Sequence, residues 1–190
     1  MSNQLSKPVV DQLQAIDALK CSLANTNWFY RVSAPLEENE LSDINDYLKP
    51  LSIAFNNVKI VKTWQEAKNI VSGTDWSEDW WNGEENSRKN LRQIAERSTN
   101  REELFSKLEN IVRFGCEELH SKVVAALSNN KVSDPALARC ASGAAMMSIN
   151  QAALAIAAQC SENHHFIAKY RLFKYGRWPL GVYNKQFFIL

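Results

Sequence analysis

The segment from Cys140 to Ser161 contains no charged residue, and this feature constrains the fold more than any other in the sequence. It follows Asp134-Pro135, a helix N-cap and then a proline at the first helical position, where the missing N–H of proline costs nothing. A long helix is therefore predicted to run toward Cys160. Such a helix belongs either in a membrane or in the interior of a protein.

The composition of this helix favours the interior of a protein. Alanine is its commonest residue, and polar side chains make its transfer into lipid poor compared with that of a leucine-rich span. These polar residues are Ser142, Ser148, Asn150, Gln151 and Gln159. Small residues let neighbouring helices approach on every side, so we expect the central helix of a bundle, with no membrane contact.

Amphipathic periodicity predicts further helices. Apolar residues recur every three or four positions in Val9–Leu23, Leu36–Leu48 and Leu104–Leu127. Capping boxes of the form T-x-x-E, in which two side chains satisfy free backbone N–H groups, predict helix starts at Thr63 and Thr99. One more short helical turn is expected between Leu51 and Phe55.

The end of the chain has a different pattern. A basic amphipathic segment, His165–Tyr175, predicts a last helix that stops at Gly176–Gly181. Val182-Tyr183 and residues 186–190 then resemble two short strands around a tight turn at Asn184-Lys185. Together these patterns predict an all-α fold, a helical bundle around a buried alanine-rich central helix with a short C-terminal β-hairpin.

Composition bounds the class of protein. With 6 glycines, 5 prolines and 45% hydrophobic residues, the chain resembles a folded globular protein, and we expect one helical domain over residues 1–190. Its formal net charge of +1 provides no global field of the kind that marks a dedicated nucleic-acid binder. The first residues, MSNQLSKPVV, lack the pattern of a secretory signal or membrane anchor, so a cytoplasmic location is expected.

Cysteines and histidines suggest no metal centre or active site. Each of the four cysteines lies in a helical pattern beside small apolar residues, which is typical of reduced, buried thiols. The pairs Cys116/His120 and Cys160/His164 have one-turn spacing but are expected to lie roughly 20 Å apart along the bundle. Because no phosphate loop, HExxH or GxSxG motif is present either, we expect no enzyme activity, no metal and no cofactor.

The most unusual segment is residues 74–85, TDWSEDWWNGEE, here called the acidic tryptophan segment. It carries five carboxylates and three tryptophans without any basic residue. Aromatic anchors surrounded by charge are typical of protein-binding hot spots, which predicts an interface for a basic partner. Alternatively, Trp76 and Trp80 share a helix face and anchor the segment to the core. The candidate partner-binding residues are Asp75, Glu78, Asp79, Trp80, Trp81, Glu84 and Glu85.

Two other charged regions leave alternatives open. A second acidic stretch runs from Glu37 to Asp46, and together with the acidic tryptophan segment it could form one anionic surface. The C-terminal tail interleaves Lys169, Arg171 and Lys174 with aromatic residues, a composition suited to single-stranded nucleic acid. A nucleic-acid-binding module is thus the second hypothesis, although the periodicity of the aromatic residues favours burial. A non-catalytic adaptor is the third.

The acidic tryptophan segment and the alanine-rich helix leading to Gly176–Gly181 resemble, in overall character, the immunity proteins of bacterial toxin–immunity pairs, including those of contact-dependent growth inhibition. The resemblance implies a cytoplasmic inhibitor that binds a cognate protein toxin, commonly a nuclease, and blocks its active site. Carboxylates of the segment would then occupy the basic groove of the nuclease as phosphate mimics, while Trp80 or Trp81 fills a base pocket.

Overall fold

A computed structural model describes residues 8–190, with the side chains of residues 14–113 and 115–190. Seven α-helices lie in this part of the chain: α1 (Pro8–Asn25), α2 (Glu38–Leu48), α3 (Trp64–Gly73), α4 (Glu78–Ser98), α5 (Arg101–Asn129), α6 (Pro135–Ala157) and α7 (His165–Lys174). A 3-10 turn, Lys49–Leu51, follows α2. Three short strands are β1 (Asn57–Ile60), β2 (Pro179–Tyr183) and β3 (Gln186–Ile189). The prediction of a mostly helical fold with a C-terminal hairpin is confirmed.

Helix α6 is the central helix, as its uncharged stretch from Cys140 onward predicts. It packs against α1, α4, α5 and α7, and the Asp134 carboxylate caps it by accepting from the N–H groups of Ala136 and Leu137, each at 3.0 Å. By length and composition α6 also qualifies as a membrane span, but 61% of its most apolar window is buried inside the protein. That burial is the pattern of a core helix in a soluble protein.

Apolar side chains form two clusters, and α7 contributes to both. The larger cluster contains the buried faces of α1, α5 and α6 together with an aromatic group in which the Phe29 ring lies 5.5 Å from that of Trp64. The smaller cluster contains α2, the sheet and the other face of α7, represented by Tyr47, Leu172 and Phe187. Because α7 is enclosed on both sides, its polar side chains need partners inside the protein.

The sheet has the strand order β1-β3-β2, with β2 antiparallel and β1 parallel to β3. Asn184 and Lys185 both have positive φ, 47° and 58°, as a tight hairpin turn requires. Strand β1 was not predicted, and the helical turn expected between Leu51 and Phe55 instead lies at Lys49–Leu51. The sequence offers no local signal for β1 because its hydrogen-bonding partners come from the far end of the chain.

Neither predicted capping box forms in full, because at the first site the Glu66 carboxylate accepts from the N–H of Lys62 and not from that of Thr63. The Thr63 hydroxyl accepts from Glu66 N–H at 3.1 Å and begins α3 as expected. At the second site, however, the Asn100 side chain caps α5 by accepting from the N–H groups of Glu102 and Glu103. An asparagine oxygen can serve two donors there. Thr99 instead ends α4, and its buried hydroxyl has no hydrogen-bond partner among the described residues.

The cysteines are free, but the expectation that they are buried is wrong for most of them. Cys21, Cys116 and Cys140 are exposed, and Cys160 is half-buried. Helical periodicity explains the difference for Cys21, because it lies two positions from both Leu19 and Leu23, which face the core.

Candidate protein-binding surface

The acidic tryptophan segment is a structured part of the fold. Ser77 begins α4 by accepting from Trp80 N–H at 3.3 Å, while its own backbone N–H donates to the carbonyl of Val182 in β2 at 2.9 Å. Glu78 and Asp79 occupy the first turn of α4, where the positive end of the helix dipole favours carboxylates. The start of α4 is thereby held against the hairpin.

The helical period divides this segment between two faces. Trp80 and Glu84, one turn apart, point inward and are each 7% exposed, whereas Trp81 is 61% exposed. Trp76 and Trp80 lie so close to Gly181 of β2 that a Cβ there would come within 2.7 Å of Trp76 and 2.9 Å of Trp80. Trp76 and Trp80 therefore anchor the segment to the core, which was the alternative to a binding role for these two residues.

Glu84 is not a surface carboxylate, which corrects its place among the candidate binding residues. Its carboxylate accepts from Tyr47 Oη at 2.7 Å and from Lys169 Nζ at 2.5 Å. Trp80 Nε1 donates to Tyr47 Oη at 2.8 Å, and Lys169 also donates to Gln151 at 3.2 Å. Burial and the adjacent Glu84 carboxylate raise the pKa of Tyr47 well above its usual value, so Tyr47 remains a donor. Trp80 and Glu84 thus belong to an internal network.

Next to this network, His165 is a buried histidine whose Nε2 lies 2.7 Å from Ser87 Oγ. Burial, and then the neighbouring His164 and Lys169, lower the pKa of His165 to about 3. Because unfolding returns this pKa to about 6.5, the neutral imidazole stabilises the fold fully above pH 6.5, and the contribution is lost as the pH falls from 6.5 toward 3.

We expect the free energy of unfolding to fall by about 3 kcal/mol between pH 7 and pH 4, because His165 becomes protonated in the unfolded chain but stays mostly neutral in the fold. Urea denaturation of the wild-type chain and of His165→Gln at both pH values measures this effect, since the carboxylates titrate alike in both proteins. The stability advantage of the wild-type chain over the variant should shrink by that amount at pH 4. An advantage of equal size at the two pH values would contradict the prediction.

Four candidate residues are exposed on the protein surface: Asp75, Glu78, Asp79 and Trp81. We call these four residues the acidic tryptophan surface. The three carboxylates are exposed and make no ion pair with any side chain that the structure describes. The Trp81 ring packs edge-on against Trp80, with centroids 6.3 Å apart. An exposed indole supported by a buried one is already oriented for a partner, which lowers the entropy lost on binding.

Glu85 differs from these four residues because its charge is already paired. Arg88 donates to both Glu85 oxygens, at 2.9 and 2.7 Å, and Lys89 Nζ lies 3.6 Å from one of them. The hydrogen bond from Arg88 lowers the pKa of Glu85. Its place on the same helix keeps Glu85 at the border of the surface, but a partner would have to compete with Arg88 for it.

A cleft of about 410 Å³ adjoins the acidic tryptophan surface. Asp75 and Asp79 line one side, and the hairpin turn with Tyr183 and Lys185 lines the other. The cleft is large enough for a long cationic side chain, and its two carboxylates outnumber its single lysine. The sequence did not indicate Tyr183 and Lys185 for this surface, because the hydrogen bond from Ser77 N–H to the Val182 carbonyl brings the hairpin beside the start of α4.

Two carboxylates of the second acidic stretch, Glu40 and Asp43, are paired with arginines of the basic tail. Arg177 donates from two nitrogens to the Glu40 carboxylate, at 2.9 and 3.1 Å, and both side chains are fully buried. Arg171 makes a similar two-nitrogen pair with Asp43. Glu40 and Asp43 therefore do not extend the acidic tryptophan surface.

The nucleic-acid hypothesis loses most of its proposed contacts in the same arrangement. The rings of Phe166, Tyr170, Phe173 and Trp178 are all buried, so they are not available to stack on bases. Lys169 and Arg171 of the tail are paired with Glu84 and Asp43. Of the three cations in that hypothesis, Lys174 alone is exposed.

No group of three or more His, Cys, Asp or Glu side chains comes close enough to hold a metal ion in the part of the chain that the structure describes. His164 and His165 stack on each other with ring centroids 4.1 Å apart, and His120 Nδ1 lies 3.2 Å from Ser142 Oγ. Comparison with protein-family models, curated proteins and solved structures found no significant match.

Proposed function

We propose that this protein is a cytoplasmic immunity protein that binds a cognate toxin, a basic nuclease domain, and blocks its active site through the acidic tryptophan surface. The observation that carries the proposal is the exposure of Trp81 beside three carboxylates, Asp75, Glu78 and Asp79, that no described side chain neutralises. Because these three carboxylates form no ion pair within the protein, they are available to pair with basic side chains of a binding protein.

The chemistry of a nuclease groove fits this surface. Such a groove is basic because it holds phosphates, and carboxylates compete for the same arginine and lysine side chains. Asp75 and Asp79 line the cleft of about 410 Å³, where an arginine or lysine of the toxin would enter. Trp81 would occupy an apolar pocket that otherwise receives a base.

Opposite charge also accelerates association, which a protein that must capture a toxin before it acts requires. The acids lie at the N-terminus of α4, anchored by Ser77 and by Trp80. They are therefore presented on a rigid element, so little ordering entropy is lost on binding.

Co-expression tests the proposal. The gene adjacent to the one for this chain is expected to encode a toxin, and producing both proteins together should restore the growth of cells that the toxin alone arrests. The purified pair should elute as one complex, and nuclease activity should fall to zero at a stoichiometric ratio. Undiminished toxicity in cells that contain the folded chain at higher concentration than the toxin would reject the proposal.

A further inference from the structure

A groove between α5 and α6, bordered by α4, has a volume of about 570 Å³. Its wall is mainly apolar, with Val112, Leu119, Met146 and Met147 among the lining side chains. Val112 and Met147 are more than a third exposed, and both line this groove. The volume lies within the range of small-molecule binding sites.

Gly143 opens the middle of this groove. Glycine within a helix is less favourable than alanine. Apart from the neighbouring backbone of α6 itself, no described atom lies within 4 Å of the place where a Cβ of residue 143 would be. Gly115 on α5 provides a contrast, because a Cβ at Gly115 would come within 2.8 Å of Leu23. Close packing against Leu23 therefore explains why residue 115 is glycine. No such contact explains why residue 143 is glycine, and the open space beside Gly143 belongs to the groove.

Arg139 supplies an available positive charge one helical turn from Gly143. It lines the groove and makes no hydrogen bond or ion pair with any side chain that the structure describes. Arg88, also on the wall, is already paired with Glu85. From Arg139 to Met147 the groove extends roughly 12 Å along α6, with the charge at one end and apolar side chains beyond it.

We infer that this groove binds a small amphipathic carboxylate, with the carboxylate on the Arg139 guanidinium and an acyl chain along Gly143 and Met147. A guanidinium accepts a carboxylate through two parallel hydrogen bonds, and an acyl chain would cover the exposed apolar wall. The inference does not depend on the proposed inhibitory function, because no residue of the acidic tryptophan surface lines the groove.

Calorimetric titration of the full chain with dodecanoate, below its micelle concentration, tests the inference. We expect saturable binding at one site per chain. Arg139→Gln should weaken it about tenfold, since it removes a charge-assisted pair. Gly143→Leu should weaken it by at least tenfold by filling the groove, and it should not destabilise the helix, because leucine is a better helix former than glycine.

Matched controls separate this site from non-specific uptake of an amphiphile. Arg97→Gln removes an exposed arginine outside the groove, and Gly73→Leu fills another open glycine position; both should bind dodecanoate like the wild-type chain. Dodecyltrimethylammonium, with the same tail and the opposite charge, should bind at least tenfold more weakly.

Three results would overturn the inference. The first is the absence of saturable dodecanoate binding. The second is equal affinity of Gly143→Leu and the wild-type chain, or of the two amphiphiles. The third is that dodecanoate does not bind, while Gly143→Leu loses affinity for a protein partner. That result would assign the groove to a segment of the partner.

Discussion

Arg177→Met is expected to lower the free energy of unfolding by about 3–5 kcal/mol, because it leaves the fully buried Glu40 carboxylate without its two-nitrogen partner. The same guanidinium donates to the backbone carbonyls of Arg31, Ala34 and Pro35, and these acceptors would also lose their donor. One side chain thus holds the loop before α2 against the end of α7. Urea denaturation monitored by circular dichroism measures the loss.

A surface pair provides the matched control for this prediction. Arg92 pairs with Glu96 across one turn of α4, and the Arg92 side chain is about half exposed. Arg92→Met should therefore cost less than about 1 kcal/mol. The double variant Glu40→Met, Arg177→Met should recover part of the loss, since it removes the unpaired charge but not the unpaired carbonyls. A loss in Arg177→Met as small as that in Arg92→Met would contradict the proposed role of the pair.

Charge reversal of the acidic tryptophan surface is expected to weaken binding of the proposed toxin partner by more than a hundredfold. The variant carries Asp75→Lys, Glu78→Lys and Asp79→Lys, and it leaves Glu84 unchanged because Glu84 neutralises the buried Lys169. Three attractive contacts become repulsive, so the association rate should fall and its salt dependence should diminish. Surface plasmon resonance against the immobilised toxin at several salt concentrations measures both.

Trp81→Ala tests the aromatic half of the same surface. Removing an exposed anchor should raise the dissociation rate by at least tenfold with little change in the association rate. The stability of this variant should stay close to that of the wild-type chain, because the ring is 61% exposed. The charge-reversal variant should lose no more than about 1–2 kcal/mol, from unfavourable charge at the helix N-terminus.

A second charge-reversal variant, with three acids changed outside the surface, distinguishes an effect of the surface on affinity from an effect of net charge. Glu109, Glu117 and Glu118 are exposed on α5, and their conversion to lysine changes the net charge by the same amount. Affinity for the toxin should then fall less than tenfold. Equal effects of the two triple variants, or no effect of either, would remove the acidic tryptophan surface from the binding mechanism.

Local sequence determined most of the helices, the hairpin turn and several helix starts, although the extent of α4 was not predicted. Asp134 caps α6, and Thr63 begins α3, through hydrogen bonds that span only two or three residues. Such contacts depend on neighbouring residue types and little else, so a pattern of a few letters predicts them. The uncharged stretch of α6 from Cys140 onward likewise predicted its central position, because a surface helix normally carries charged residues on its outer face.

Tertiary structure decided which charged residues of the candidate site remain free. Glu40 meets Arg177, and Glu84 meets Lys169, across 137 and 85 positions of the chain, and β1 pairs with a strand from the opposite end. No local pattern encodes these partners, because each depends on how α2, α4 and α7 pack. A carboxylate at the start of α4 can therefore be identified from sequence, but whether it is buried in an ion pair or offered to a partner depends on the assembled fold.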